Sequence, residues 1–128
     1  MIHCLENTSE KIEIRKHTLY LEDNILFSIT DGNYDEENTL EITEVILEIL
    51  KLRSTLNLFV DMNKIGKVTP EARKISNEIM AHEKISKIAF VGVHLVARIV
   101  AEFLMQVTRN KKSKFFKYKE EALKWLSV

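Results

Sequence analysis

Cysteine is all but missing from this chain. The single Cys4 cannot close an internal disulfide, and no histidine stands at nucleophile or ligand spacing from it. A disulfide scaffold, a thiol enzyme and a thiolate metal site therefore lose their basis. Proline and glycine are scarce too, one and three residues in 128, which argues against linkers and disorder. No charge of one sign prevails: 19 acidic side chains meet 19 basic ones. A chain without a net field is not a general binder of nucleic acid. A membrane-spanning run is missing as well, because the longest apolar stretch, Ile88 to Val107, is broken by His94, Arg98 and Glu102. The N-terminus, MIHCLENTSEK, has no apolar signal core, so the expected compartment is the cytoplasm.

What is present is the material of one core. Hydrophobic residues make up 45% of the chain, which suits a single domain over 1–128. Lys11 to Leu21 reads as extended. Ile12 and Ile14 alternate with charges, Leu19 and Leu21 alternate on a shifted phase, and a bulge or short break near Lys16 accounts for the shift. Asp23-Asn24 is a hairpin signal. Ile25 to Thr30 is the antiparallel partner, with Ile25, Phe27 and Ile29 on one face, and Asp31-Gly32-Asn33 ends it.

Leu40 to Arg53 places Ile42, Val45, Ile46, Ile49 and Leu50 at helical spacing. Asp35, Glu36 and Glu37 lie at its start and Lys51 and Arg53 at its end, the order the helix dipole favours. Leu56 to Met62 and Lys87 to Val93 are apolar enough for central strands. His94 to Asn110 is a further helix with a core stripe of Leu95, Val96, Ile99, Val100, Phe103, Leu104 and Val107, widened by Ala97, Ala101 and Met105. Ser113 to Tyr118 is a last strand. Glu120 to Leu126 is a last helix, anchored by Ala122, Leu123, Trp125 and Leu126. The order ββαβαβαβα predicts an α/β domain with a mixed, mostly parallel sheet and right-handed crossovers.

The segment Leu56 to Arg73 carries the most information. A strand runs into Asp61, a polar loop containing Gly66 follows, and Thr69-Pro70-Glu71 opens a helix over Thr69 to Glu83. Thr69 is a natural N-cap and Pro70 suits the first helical position. A strand feeding a helix N-terminus is where α/β proteins place ligand and anion sites.

These motifs, taken in order, resemble the SpoIIAA-like fold of STAS domains. The residues that carry the resemblance are Val60-Asp61, then Thr69-Pro70-Glu71-Ala72-Arg73, then Lys87 to Gly92 followed by a helix containing Arg98. The closing Phe115-Phe116 and Glu120-Glu121-Ala122-Leu123-Lys124-Trp125-Leu126 resemble the SpoIIAA-like branch related to CRAL-TRIO lipid-binding proteins. The resemblance implies a regulatory or binding domain rather than an enzyme. In antagonist members a Ser or Thr at the start of the second helix is phosphorylated. Thr69 is the hydroxyl at that position, and Val68-Thr69-Pro70 stands where those members have an Asp-Ser-Ser-Gly type motif.

Each candidate residue has a plain structural role as its alternative. Thr69 is a phosphoacceptor or a helix cap. Asp61 orients a ligand or holds the loop. Arg73 and Arg98 join in an anion pocket or make separate surface pairs, Arg98 with Glu102. His94 lines the same edge or is structural, and His82-Glu83 lacks the partners of a zinc pattern. The basic run Arg109, Lys111, Lys112, Lys114, Lys117, Lys119 is a solvated helix end or a patch for an anionic lipid or acidic partner.

The expected function is a non-enzymatic module working by protein–protein contact near the start of the second helix, without a cofactor. Its rival is a carrier or sensor for a small apolar or lipid-like ligand, held between the sheet and the second and third helices. The surplus apolar width of the third helix suggests a homodimer through Ala97, Ala101 and Met105, unless the C-terminal helix covers that surplus.

Overall fold

The computed structural model describes residues 11–108 and 112–128. Three strands form first: β1 (Lys11–Ile14), β2 (His17–Glu22) and β3 (Ile25–Tyr34). Two tight turns decide their arrangement. Arg15 (φ 58°) and Asp23 (φ 55°) both adopt left-handed backbone, so the chain reverses twice and the three strands pair antiparallel. The break expected near Lys16 is thus a complete reversal, with Ile14 opposite His17. The phase shift in the apolar pattern is a change of strand, not a bulge. It adds one strand to the expected order.

Helix α1 (Glu36–Lys51) then leads to β4 (Leu56–Val68), α2 (Pro70–Met80) to β5 (Ile85–Val91), and α3 (Leu95–Thr108) to β6 (Ser113–Phe116). The pairs β3–β4, β4–β5 and β5–β6 are parallel, and the six strands lie in the sheet in chain order. The fold is the expected α/β type, with an antiparallel opening and a parallel remainder. Because each crossover steps to the next strand in the same direction, right-handedness puts α1, α2 and α3 on one face. Helix α4 (Lys119–Leu126) follows β6 and packs on the other.

The helices start and stop by local chemistry. Asp35 and Asn38 form a reciprocal cap at the start of α1, four or more residues before the expected Leu40. Helix α2 begins at Pro70 as expected but stops at Met80, short of Glu83.

Beyond Asp61 the expectation of a polar loop is wrong. β4 continues to Val68, and β3 continues through Asp31-Gly32-Asn33 to Tyr34, which pairs with Val68. β5 leaves β4 after Val91, opposite Asp61, so the extension is a two-stranded ribbon. Strand pairing overrides the low strand propensity of Asn63, Lys64 and Gly66. The ribbon is irregular. β4 sets Met62 and Asn63 opposite Thr30, and Gly66 and Lys67 opposite Asn33, which makes two bulges. Gly32 takes φ 94°, and a Cβ on Gly66 would collide with the Asn33 side chain.

On the three-helix face, Leu19, Leu26, Leu56, Leu58, Met62, Ile88 and Phe90 of the sheet meet Ile42, Ile46, Ile49 and Ile79 of α1 and α2. A fully buried side chain of this size contributes about 1.5–3 kcal/mol. On the other face, Phe27, Phe59, Ala89 and Val91 meet Ala122 and Leu126 of α4.

Helix α3 is rotated away from the expected stripe. Ala97 and Ala101 are fully buried and Leu104 nearly so, whereas Leu95, Val96 and Ile99 are 73%, 57% and 57% exposed. The cause is close approach. A Cβ added to Gly92 would lie 2.8 Å from the Ala97 Cβ, so only a small residue fits where α3 meets the end of β5. Phe103 and Val107 of the expected stripe lie outside the described side chains. Ala97 and Ala101 therefore belong to the core and cannot form a dimer contact. Helix α4 does not cover the outer face of α3, because it sits across the sheet.

Candidate functional site

At the carboxyl ends of the parallel strands, the loops after β3 and β4 lead to the same face. The loops after β5 and β6 part: one leads to α3, the other to α4 on the opposite face. Such a parting is where open α/β sheets form their crevice. A bond from the Gly92 N–H to the Phe116 carbonyl (3.1 Å) ties the two loops together at their base.

Asp61, His94 and Arg98 all belong to this end, and each has a defined task. The Asp61 carboxylate accepts from the Asn63 backbone N–H and side-chain amide, both at 3.0 Å, and its carbonyl accepts from the Thr30 hydroxyl at 2.6 Å. The Asn63 side-chain oxygen accepts the Val93 N–H at 2.9 Å. Asp61 thus holds the β5–α3 loop through Asn63. The exposed His94 offers its carbonyl to the Arg98 N–H (3.1 Å), the first bond of α3. The Arg98 guanidinium lies 3.6 Å from Glu102 and over the Phe115 ring, 5.8 Å from its centroid. That flank of α3 faces β6, whereas Arg73 sits half-buried on α2, beyond the other flank.

What gathers at this end is apolar surface. Val93 is 55% exposed and continues into Leu95, Val96 and Ile99, while Tyr118 on the neighbouring loop is 54% exposed. Large aliphatic side chains clustered in water mark contact sites.

The start of α2 is different. Thr69 is half-buried; its hydroxyl accepts the Ala72 N–H at 3.1 Å and its own N–H donates to the Tyr34 carbonyl at 3.0 Å. Thr69 therefore caps α2 and fixes it to the ribbon. Behind the ribbon stands His17, which sequence reasoning did not single out and which is 1% exposed. Its Nδ1 accepts the Asp31 N–H and its Nε2 donates to the Asn33 carbonyl, both at 3.0 Å, and its ring packs edge-on against Tyr34. These bonds require the neutral ring with its proton on Nε2. Burial lowers the His17 pKa, against a weaker upward pull from the Asn33 bond, Asp31 and Asp35. The only sequence signal was a histidine at an inward position of β2, in phase with Leu19 and Leu21.

A cavity of about 50 Å³ lies under α1 and α2, with Val100 and Leu104 of α3 at its side. The expected place was under α2 and α3. Its wall is apolar apart from the hydroxyl-bearing Ser28, Tyr34, Thr39, Thr43 and Ser76. The Tyr34 hydroxyl bonds to Ser28, and burial raises its pKa well above the usual tyrosine range.

The basic run divides. Arg109 and Lys111 lie outside the described residues. Lys112 reaches the carbonyls of His82 (3.0 Å) and Ile85 (2.7 Å), and burial lowers its pKa. Lys114, Lys117 and Lys119 each lie over an aromatic ring, those of Phe116, Tyr118 and Phe27. Cys4 is also outside the described residues. Among the described residues no group of three His, Cys, Asp or Glu could hold a metal ion, and no helix is long and apolar enough to cross a membrane.

No curated protein matches the sequence. Among solved structures, the chain is similar to an uncharacterized protein of the DUF3478 family with a SpoIIAA-like fold from Shewanella loihica PV-4. The TM-score is 0.67 at 16% identity, over 86% of this chain and 91% of that one. That likeness establishes the SpoIIAA-like fold. The model of a domain of unknown function, DUF7793, matches residues 19–128, and the chain belongs to that family.

Proposed function

We propose that this domain is a non-enzymatic contact module, working by presenting the apolar row Val93, Leu95, Val96 and Ile99 to another polypeptide. The observation that supports the reading is the exposure of that row, 55% or more at each residue, beside the crevice between the β5 and β6 loops. The contact surface moves accordingly from the start of α2, where polar groups satisfy one another, to the start of α3. The non-enzymatic reading rests on the absence of a nucleophile–base pair and of a phosphate-cradling glycine loop from the sequence.

The partner we assign first is a second copy of the chain. A net charge of zero sets up no repulsion between copies, and a two-fold dimer is the commonest closed assembly. Light scattering at micromolar concentration tests it. Twice 14.9 kDa for the native chain, returning to 14.9 kDa in Ile99→Lys, is the expected result. A monomer at all concentrations overturns the dimer. Thr69 keeps its proposed role as phosphoacceptor, and mass spectrometry of protein from its native cell is the check: phosphate on Thr69 supports it, and its absence across growth conditions removes it.

A further inference from the structure

Helix α3 carries two opposite charges beside its apolar row. Arg98 and Glu102 are four residues apart, so they stand one above the other along a single flank, separated by about 6 Å in height. That flank faces β6, the edge strand of the sheet, while α2 packs along the opposite flank. Within one copy the two charges do little for each other. They lie 3.6 Å apart with both side chains more than half exposed, and exposed pairs of this kind contribute little. The Arg98 guanidinium also rests over the Phe115 ring, 5.8 Å from its centroid, which holds it on that flank.

The row is close to self-complementary. Leu95 and Val96 come one turn before Ile99, and position 103, one turn after it, is a phenylalanine in the sequence. A two-fold axis level with Ile99 and Val100 therefore sets apolar positions against apolar positions in two antiparallel copies. The same axis decides what the charges meet. In an antiparallel pair like flanks share one side of the seam, and heights are exchanged about the axis. Arg98 of each copy then comes beside Glu102 of the other, and the contact occurs twice. In a parallel pair the charged flanks fall on opposite sides of the seam, and neither charge meets its opposite.

We infer that two copies of this chain pair through α3 in antiparallel, with Ile99 at the two-fold axis and a reciprocal ion pair from Arg98 of each copy to Glu102 of the other. This pairing rests on the reading of the α3 row as a contact between copies, and it adds orientation and specificity to that contact. Closing the row excludes water beside both pairs, so the charges act more strongly across the seam than within one exposed helix. They also fix the register. An axis moved to the level of Arg98 or of Glu102 would set like charges against each other.

Charge reversal tests the arrangement, read by light scattering over a concentration series from micromolar upward. Arg98→Glu leaves only carboxylates along the seam, Glu102→Arg leaves only guanidinium groups, and each should weaken the native dimer about tenfold. Each variant also carries like charges within its own helix, which mixing the two does not relieve. An equimolar mixture restores opposite charges only across the seam, so it should recover the native dimer mass. Urea midpoints check that both variants are folded. If a reversal unfolds the chain, Arg98→Gln and Glu102→Gln replace it, each expected to weaken the dimer about threefold. A native dimer whose mixed variants stay monomeric overturns this arrangement and leaves the dimer standing. Variants that dimerise as tightly as the native chain do the same. A native chain that is monomeric at all concentrations overturns the dimer itself, and this arrangement with it.

Discussion

Helices α2 and α3 each follow a parallel strand of the same sheet, yet their starts are built in opposite ways. The start of α2 is a closed polar arrangement: Thr69 caps the helix and is tied to Tyr34, whose neighbour Asn33 is held by His17. The start of α3 is open and apolar, with Val93, Leu95 and Val96 in solvent. Inward, α2 uses Ala72, Ser76 and Ile79, and α3 uses Ala97, Ala101 and Leu104. The difference teaches that a helix can keep its small residues for the core and its large ones for the surface. Where it does so, the large ones are left in solvent, as Leu95, Val96 and Ile99 are here.

The largest test of this contrast is a pair of charges on one helix. Ala101→Glu puts a carboxylate into a fully buried position and should cost about 3–5 kcal/mol, enough to unfold a marginal domain. Ile99→Glu, two residues away but exposed, should change monomer stability by no more than about 0.5 kcal/mol. Urea titration of both variants reads the difference. Equal effects would mean that α3 is rotated from the arrangement described.

A smaller effect belongs to the other helix. Thr69→Ala removes the side-chain cap and should lower stability by about 1 kcal/mol in the same titration. An unchanged midpoint would show that the bond to Ala72 carries no weight.

The smallest effect separates the two starts by pH. Burial lowers the His17 pKa from 6.5, so the unfolded chain takes up this proton before the folded one does. The stability this histidine contributes is complete above about pH 6.5 and drains as pH falls from there through the lowered folded value. Below both values no further loss comes from this group. His17→Gln should flatten that slope between pH 7.5 and 5. In the native chain the amides of Asp31, Asn33 and Thr69 should respond, and those of Val93 to Ile99 should not. A slope that persists unchanged in His17→Gln would assign the titration elsewhere.

Much of the fold was legible because it rests on local chemistry. The Asp23 turn, the Thr69 cap with Pro70, and the apolar runs Leu56–Val60 and Ile88–Phe90 announce themselves within a few residues. Three features did not. The reversal at Arg15 uses a residue with no turn preference. The ribbon beyond Asp61 exists because β3 pairs with it, and nothing in Asn63-Lys64-Ile65-Gly66 declares a partner some 30 residues away. The rotation of α3 depends on how near Gly92 lets the helix come, which a helical wheel cannot contain. The site was legible in position more than in role. Asp61, His94 and Arg98 do gather at one end of the sheet, but as supports of a loop and a helix. The residues that distinguish that end, Leu95, Val96 and Ile99, read in sequence as core.

The order of strands in the sheet has a consequence for how the molecule is made. Every strand lies beside the one that precedes it in the chain, so each pairing needs only segments already made. This order lets the local pairs of β1–β3 form first, ahead of the parallel pairings, which close crossovers of some 30 residues, as Leu26 with Leu58 does. It also suits synthesis from the N-terminus, since the β1–β3 meander can pair before β4 exists and each later strand–helix unit adds at the growing edge. β6 is then the last strand in place, with α3 and its apolar row arriving just before it.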